Sequence, residues 1–75
     1  MKFTGEHLQF LRTIKKVKQP VLARKLGVKQ QSISKLEKKT SVCDERFHEY
    51  IAALNLEKED ALKLLQLYSH HTVIK

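Results

Sequence analysis

The chain has 75 residues and a mass of 8.8 kDa, which is enough for a single small domain covering residues 1–75. Its 2 glycines, 1 proline and 41% hydrophobic residues exclude collagen-like and proline-rich disordered proteins, and its 1 cysteine excludes an internal disulfide framework. The net charge of +7 is concentrated in residues 1–39, which hold eleven Lys and Arg against two acids, whereas residues 40–75 hold four against six.

Apolar residues at helical spacing predict an all-α fold of five helices without a sheet. The first helix spans about residues 5–16. Its inward stripe consists of Leu8, Leu11 and Ile14, widened by Phe3 and Phe10. The second helix begins near Pro20, because proline is tolerated in a first helical turn, and it ends at Gly27.

Three further helices follow the glycine. The third covers about residues 29–38. The fourth covers residues 44–55, with Asp44 as its N-cap and Asn55 at its end. The fifth covers about residues 57–69 and starts with acidic residues, which favour the positive end of a helix dipole.

The segment around Gly27 predicts two helices that cross over a short turn. Gly27 supplies the positive φ of the turn, and Ala23 is small enough for a close approach of the helices. Ile33 and Leu36 face inward on the third helix. At 100° per residue, the opposite face then consists of Gln31, Ser34, Lys35 and Lys38, with Gln30 at its leading end. Gln amides match adenine and Lys matches guanine in the major groove, although both residues also commonly solvate an exposed helix.

This segment resembles the helix-turn-helix of the phage repressor and Cro family. The family places Gln at the start of helix two, Ala four residues later, Gly after four more, and aliphatic residues inside helix three. The matching residues here are Gln19, Ala23, Gly27, Ile33 and Leu36. The likeness covers about residues 6–65, with the helix-turn-helix core at about residues 19–38. It implies a compact five-helix bundle of the lambda-repressor type that binds double-stranded DNA as a homodimer and regulates transcription, as a small repressor in the cytoplasm.

The resemblance also implies roles for individual residues. The base contacts would come from Gln30, Gln31, Ser34 and Lys35. The phosphate contacts would come from Lys18, Gln19, Lys29, Lys38 and Lys39, with Arg12 as a further candidate. Arg12 and Glu37 also occupy the positions of a salt bridge that recurs in the family, and we expect this pair to be structural first.

Four lysines depart from the family pattern. Lys18 and Lys29 replace the usual capping Ser, Thr or Asn of helices two and three, and a lysine cannot accept a backbone N–H bond. Lys16 and Lys39 replace glycines that commonly follow helices one and three. A bound phosphate or water would have to satisfy the uncapped helix starts.

The fifth helix has more apolar residues than one short terminal helix can bury. Leu65 and Tyr68 are predicted to face the core. A dimer surface is predicted at Leu64, Leu67, Val73 and Ile74. Packing of these four side chains against Phe3 and Phe10 is an equally weighted alternative.

Other classes of function remain open from the sequence. An antitoxin or bridging module would use helix five to dock a protein partner such as a toxin. The charge by itself does not separate DNA from RNA, an anionic membrane surface or an ordinary lysine-rich surface. We expect no enzyme, no catalytic residue, no metal site and no cofactor, because no His, Cys or carboxylate grouping has a suitable spacing. No signal-peptide core and no apolar run of the ~18 residues of a membrane helix is present, so we expect a cytoplasmic protein without a membrane partner.

Overall fold

Five α-helices form the chain in the computed structural model, which describes the backbone of residues 3–73 and the side chains of residues 3–68. They are α1 (Gly5–Ile14), α2 (Gln19–Leu26), α3 (Gln30–Glu37), α4 (Asp44–Ala53) and α5 (Lys58–Val73). The predicted all-α class with five helices is therefore confirmed. The predicted helix ends agree within about two residues except at α5, which continues to Val73.

A single core holds the five helices together. The helix α1 packs against α3, α4 and α5, and α2 packs against α3 and α4. The largest fully buried side chains are Tyr50, Phe47, Leu8, Leu11, Leu22, Ile33, Leu54 and Leu65. The folded chain measures 35 × 22 × 22 Å, so every helix lies near the surface on one side and near the core on the other.

Two residues assigned to the stripe of the first helix lie elsewhere. Phe3 precedes α1 and forms an isolated antiparallel bridge with Val42, whose N–H donates to the Phe3 carbonyl at 2.8 Å. The ring of Phe3 stacks on Phe47 with 3.7 Å between centroids, so Phe3 reaches the core from outside the helix. Ile14 is 38% exposed because α1 ends there, which makes its predicted inward position wrong.

The helix starts are capped in different ways. Thr4 caps α1: its Oγ1 accepts from the His7 N–H at 3.3 Å, and its own N–H donates to His7 Nδ1 at 3.1 Å. The predicted N-cap of α4, Asp44, is wrong by one residue. Cys43 is the N-cap there, in an extended conformation, and Asp44 lies in the first turn, where its charge favours the positive helix end.

The ends of α1, α2 and α4 share one backbone arrangement. Lys16, Gly27 and Asn55 have φ values of 58°, 70° and 60°, in the left-handed region. The N–H of the residue after each one donates to the carbonyl five residues earlier, as Val28 does to the Ala23 carbonyl at 2.9 Å. The sequence predicted this conformation at Gly27 and a helix end at Asn55, and both are confirmed.

Gly5 fixes the distance between α1 and the end of α3. Its N–H donates to the Lys39 carbonyl at 2.8 Å. A Cβ atom at this position would clash with the backbone carbonyl groups of Leu36 and Glu37. The start of α1 therefore lies directly against the last turn of α3, which carries Glu37.

Candidate nucleic-acid interface

The helices α2 and α3 are joined by three residues, Gly27, Val28 and Lys29. The left-handed conformation of Gly27 turns the chain sharply after Leu26. Ala23 is 3% exposed, so α2 packs closely through its small side chain. This compact connection fixes the direction of α3 relative to the core.

The helix α3 has one buried side and one accessible side. Ile33 is 1% exposed and Leu36 is half-buried against the core. The predicted base-contact residues Gln30, Gln31 and Lys35 are exposed, and the fourth, Ser34, is half-buried. The described part of the chain therefore leaves Gln30, Gln31 and Lys35 accessible on the polar side of α3.

The cations near α3 are free to meet an external anion. Lys18, Lys29, Lys38 and Lys39 are all exposed. Among the described side chains, only Arg12–Glu37 and Arg46–Glu49 form ion pairs, so none of these four lysines is neutralised by a carboxylate. Unpaired lysines beside one helix create a local positive potential.

Two of these lysines stand at helix starts that lack a side-chain cap. Lys18 at α2 and Lys29 at α3 both have extended backbone conformations, and no side chain accepts a hydrogen bond from the first turn of either helix. The positive ends of the two helices therefore lie beside lysine side chains and lack a side-chain acceptor.

A buried carboxylate anchors the other side of α3. Arg12 donates from Nε to Glu37 Oε2 at 2.6 Å and from Nη2 to Oε1 at 3.1 Å. Arg12 Nη1 donates to the Val17 carbonyl at 3.0 Å. The Arg12 and Glu37 side chains are 12% and 3% exposed. Each of the three guanidinium nitrogens donates one hydrogen bond within the protein, so the geometry supports the structural role of Arg12.

Two more side chains complete the environment of Glu37. Gln19 Nε2 donates to Glu37 Oε1 at 2.9 Å, and the Tyr50 hydroxyl donates to Oε2 at 2.5 Å. Burial by itself raises the pKa of Glu37, but the hydrogen bonds from Arg12, Tyr50 and Gln19 outweigh burial and hold the pKa below its usual range. Burial and the neighbouring Glu37 raise the pKa of Tyr50, which stays protonated.

The buried network continues to the exposed face of α3. Gln19 receives at Oε1 a hydrogen bond of 3.4 Å from Gln30 Nε2, while its own Nε2 is bound to Glu37. The amide orientation of Gln19 is thereby fixed, because Glu37 accepts only and Gln30 donates. One N–H of Gln19, and the oxygen and one N–H of Gln30, are left for other partners.

Sequence reasoning did not identify Tyr50 or Gly5 as part of this site. Tyr50 follows Phe47 by three residues on the buried side of α4, and a buried tyrosine hydroxyl needs a partner. The sequence therefore predicts a hydrogen bond from the Tyr50 hydroxyl but does not identify its acceptor. Gly5 has no signal in the sequence beyond being one of 2 glycines.

The apolar residues of α5 differ in their exposure to solvent. Leu65 is 1% exposed, and Leu64 is half-buried against the core. Leu67 is 58% exposed. The side chain of Val73 and the whole of Ile74 lie outside the described residues.

The end of α5 contacts α1 through aromatic rings. Tyr68 meets the rings of Phe10 and His7, each with 5.1 Å between centroids, and its hydroxyl donates to Glu6 at 2.5 Å. Part of α5 therefore packs on α1. Leu67 is left as an accessible apolar residue.

No helix among residues 3–73 is long and apolar enough to cross a bilayer. Among residues 3–68, no three His, Cys, Asp or Glu side chains lie together as metal ligands would.

Comparisons with protein-family models, with curated proteins and with solved structures found no match for this chain. Function therefore has to be inferred from the geometry and charge of the chain itself.

Proposed function

We propose that the chain is a sequence-specific double-stranded DNA-binding protein that inserts α3 into the major groove and acts as a small transcriptional repressor. The observation that carries the proposal is the two-sided character of α3. Its aliphatic side packs on the core while its amide and ammonium groups stand exposed beside unpaired lysines. A short helix of this kind fits the width of the major groove of about 12 Å.

The exposed amides of α3 provide the base contacts. Gln30 bonds to Gln19 through one amide hydrogen and keeps an acceptor and a second donor, which match the N6 donor and the N7 acceptor of adenine in the major groove. Gln31 is exposed with its full amide available, and Lys35 suits the acceptors of guanine. Ser34, half-buried, contributes a hydroxyl close to the helix.

The phosphate contacts come from the flanks of α3. Lys18 and Lys29 stand at two helix starts that lack a side-chain cap, a combination that favours phosphate oxygens. Lys38 and Lys39 extend the positive surface at the other end of α3. Gln19 adds its remaining N–H. These contacts would position the helix, and the base contacts would select the sequence.

Repression follows from occupancy of the operator. A homodimer formed through the exposed part of α5 around Leu67 would place two copies of α3 about 34 Å apart, one turn of the duplex. Such a dimer would compete with polymerase for its site.

The decisive experiment is selection of bound sites from a random duplex library, followed by a mass measurement of the complex. We expect an enriched consensus with two half-sites and a complex containing two chains. Recovery of no consensus at moderate salt would contradict base reading.

The Gln31→Ala variant tests the assignment of α3 directly. We expect a loss of about 1–3 kcal/mol on the selected site and a relaxed preference at one base position, because a bidentate amide contact is removed. Fluorescence anisotropy with selected and scrambled duplexes measures both effects. Gln66→Ala, an exposed glutamine on α5, is the matched control and should leave affinity unchanged. Equal losses on both duplexes would show that Gln31 does not read bases.

A protein-docking role, as in an antitoxin or bridging factor, is the second candidate. Leu67, 58% exposed on α5, favours it. The two roles differ in what covers Leu67. Self-association that Leu67→Ser abolishes supports the homodimer, whereas a monomer that associates only with another protein supports the docking role.

A further inference from the structure

A second surface of the chain is an open groove of about 730 Å³, with α4 on one side and α2, the following turn and α3 on the other. Ser32 and Leu36 of α3 line the groove, whereas Gln30 and Gln31 do not. The groove therefore lies beside the two glutamines of α3 and shares Lys35 and Lys39 with the proposed DNA surface.

The inner part of the groove is apolar. Its buried and half-buried lining residues are Leu26, Ile33, Leu36, Tyr50 and Ala53. Val28 also lines it and is 41% exposed. Phosphates and sugars offer little apolar surface, so DNA binding does not account for this lining. Ile33 and Tyr50 are already buried, and an occupant with apolar side chains would remove from water the accessible surface of Leu26, Leu36, Ala53 and Val28.

The outer part of the groove is positively charged. Its exposed charged residues are Lys25, Lys35, Lys39, Arg46 and Glu49. Arg46 and Glu49 pair with each other at 3.0 Å, and the three lysines have no carboxylate partner. A complementary ligand would be apolar on one side and acidic on the flanks of that side.

We propose that this groove binds an acidic amphipathic helix of a partner protein. Leucine-type side chains at i, i+4 and i+7 would fill the apolar lining, and flanking carboxylates would meet the three lysines. Lys35 and Lys39 belong also to the proposed DNA surface, so the partner helix and DNA would exclude each other. This exclusion, unlike the docking itself, rests on the proposed function.

The test uses a defined probe on the whole protein. The probe is a fluorescein-labelled peptide of about 16 residues, long enough to form a helix. It carries leucines at i, i+4 and i+7, and glutamates at the positions that flank this leucine stripe. One control peptide carries lysines in place of the glutamates, and another carries serines in place of the leucines. We expect anisotropy to report saturable binding of the probe and at least about tenfold weaker binding of either control.

Matched variants locate the binding site. Ala52 lines the groove, is exposed and lies outside the proposed DNA contacts. Ala52→Glu should weaken the probe about tenfold or more, while Ala52→Lys, which adds a chain of similar length, should retain or strengthen binding. Lys63→Glu makes a charge change of the same sign on α5, outside the groove lining, and should bind like the wild type. Circular dichroism melts establish that all three variants fold.

Four results would contradict the docking proposal. Absence of saturable binding, equal binding of the lysine peptide, or equal effects of Ala52→Glu and Lys63→Glu would each overturn the docking proposal. So would concentration-dependent dimerisation abolished by Ala52→Glu, because a second copy would then be the occupant.

The exclusion of DNA is measured separately by adding the selected duplex to the peptide complex. Release of the probe supports exclusion, and a ternary complex overturns it while leaving the docking proposal standing. Failure of the chain to bind any duplex would remove the proposed function, and the peptide measurements without DNA would still decide the docking proposal.

Discussion

At the scale of single residues, Glu37 links the core to the exposed side of α3. It is 5% exposed and bonded to Arg12, Gln19 and Tyr50, and none of its buried oxygen atoms lacks a hydrogen-bond partner. A buried carboxylate of this kind is strongly destabilising when it loses a partner, because its charge is then left without compensation. The network therefore couples stability to the position of Gln19, and through Gln19 to Gln30.

Removing one hydroxyl tests this coupling. Tyr50→Phe should lower the free energy of unfolding by about 1.5–3 kcal/mol, because it deletes a hydrogen bond to a buried charge while keeping the ring. Urea denaturation followed by circular dichroism measures the change. Tyr68→Phe, which removes a hydroxyl bonded to the exposed Glu6, is the control and should have a smaller effect. Similar losses in the two variants would contradict a special role for the Tyr50 bond.

The low pKa of Glu37 predicts a loss of stability in acid. Its pKa is 4.5 when unperturbed and lies lower in the folded chain, so between these values the unfolded chain binds more protons. The stabilisation is therefore complete above about pH 4.5 and is lost as the pH falls through the folded pKa. Urea midpoints of the wild type and Glu37→Gln should converge below pH 4.5, and a constant difference across that range would contradict the assignment.

At the scale of elements, two of the helices end in a left-handed conformation without the glycine that usually adopts it. Only one of the three left-handed helix ends, Gly27, is a glycine. Asparagine tolerates this conformation at Asn55, but Lys16 pays a steric penalty there of about 1–2 kcal/mol. The end of α1 is therefore held in place by its hydrogen bonds and packing against a local preference.

Lys16→Gly should relieve this strain. We expect the free energy of unfolding to rise by about 1 kcal/mol, the steric gain being partly offset by the greater flexibility of unfolded glycine. Thermal melts measure the shift. Lys15→Gly is the matched control, because Lys15 has a right-handed conformation with φ of −77° and gains nothing from glycine. Stabilisation by both substitutions, or by neither, would argue against strain at Lys16.

At the scale of the whole molecule, the basic residues and the acidic residues lie mainly on different helices. The lysines proposed to contact phosphate lie at the ends of α2 and α3, and the acids lie mainly in α4 and α5. Long-range attraction of a polyanion depends on this sum of charges, whereas base selection depends on a few amides.

Salt dependence tests the whole-molecule contribution. The logarithm of DNA affinity should fall linearly with the logarithm of salt concentration, and Lys38→Ala should reduce the slope by about 1, because one fewer counterion is released. The loss of affinity caused by Lys38→Ala should be the same on selected and scrambled duplexes. Lys63→Ala on α5 should leave the slope unchanged, and a slope insensitive to Lys38 would remove that residue from the phosphate contacts.

The sequence by itself determined the helices, the turn at Gly27 and the aliphatic side of α3 at Ile33 and Leu36, because periodicity and glycine conformation are local properties of the chain. It also determined that basic residues are concentrated in residues 1–39, because this follows directly from the composition. It failed at Ile14 and Asp44, which lie within one or two residues of a helix end, where the helical pattern is least defined.

The tertiary structure alone decided which groups meet across the core. Arg12 and Glu37 are 25 positions apart, and the pairing was expected only from a resemblance. The participation of Tyr50 and the contact of Gly5 with α3 had no basis in spacing. Partners of a buried polar group depend on how distant helices pack, and that packing is a property of the assembled core.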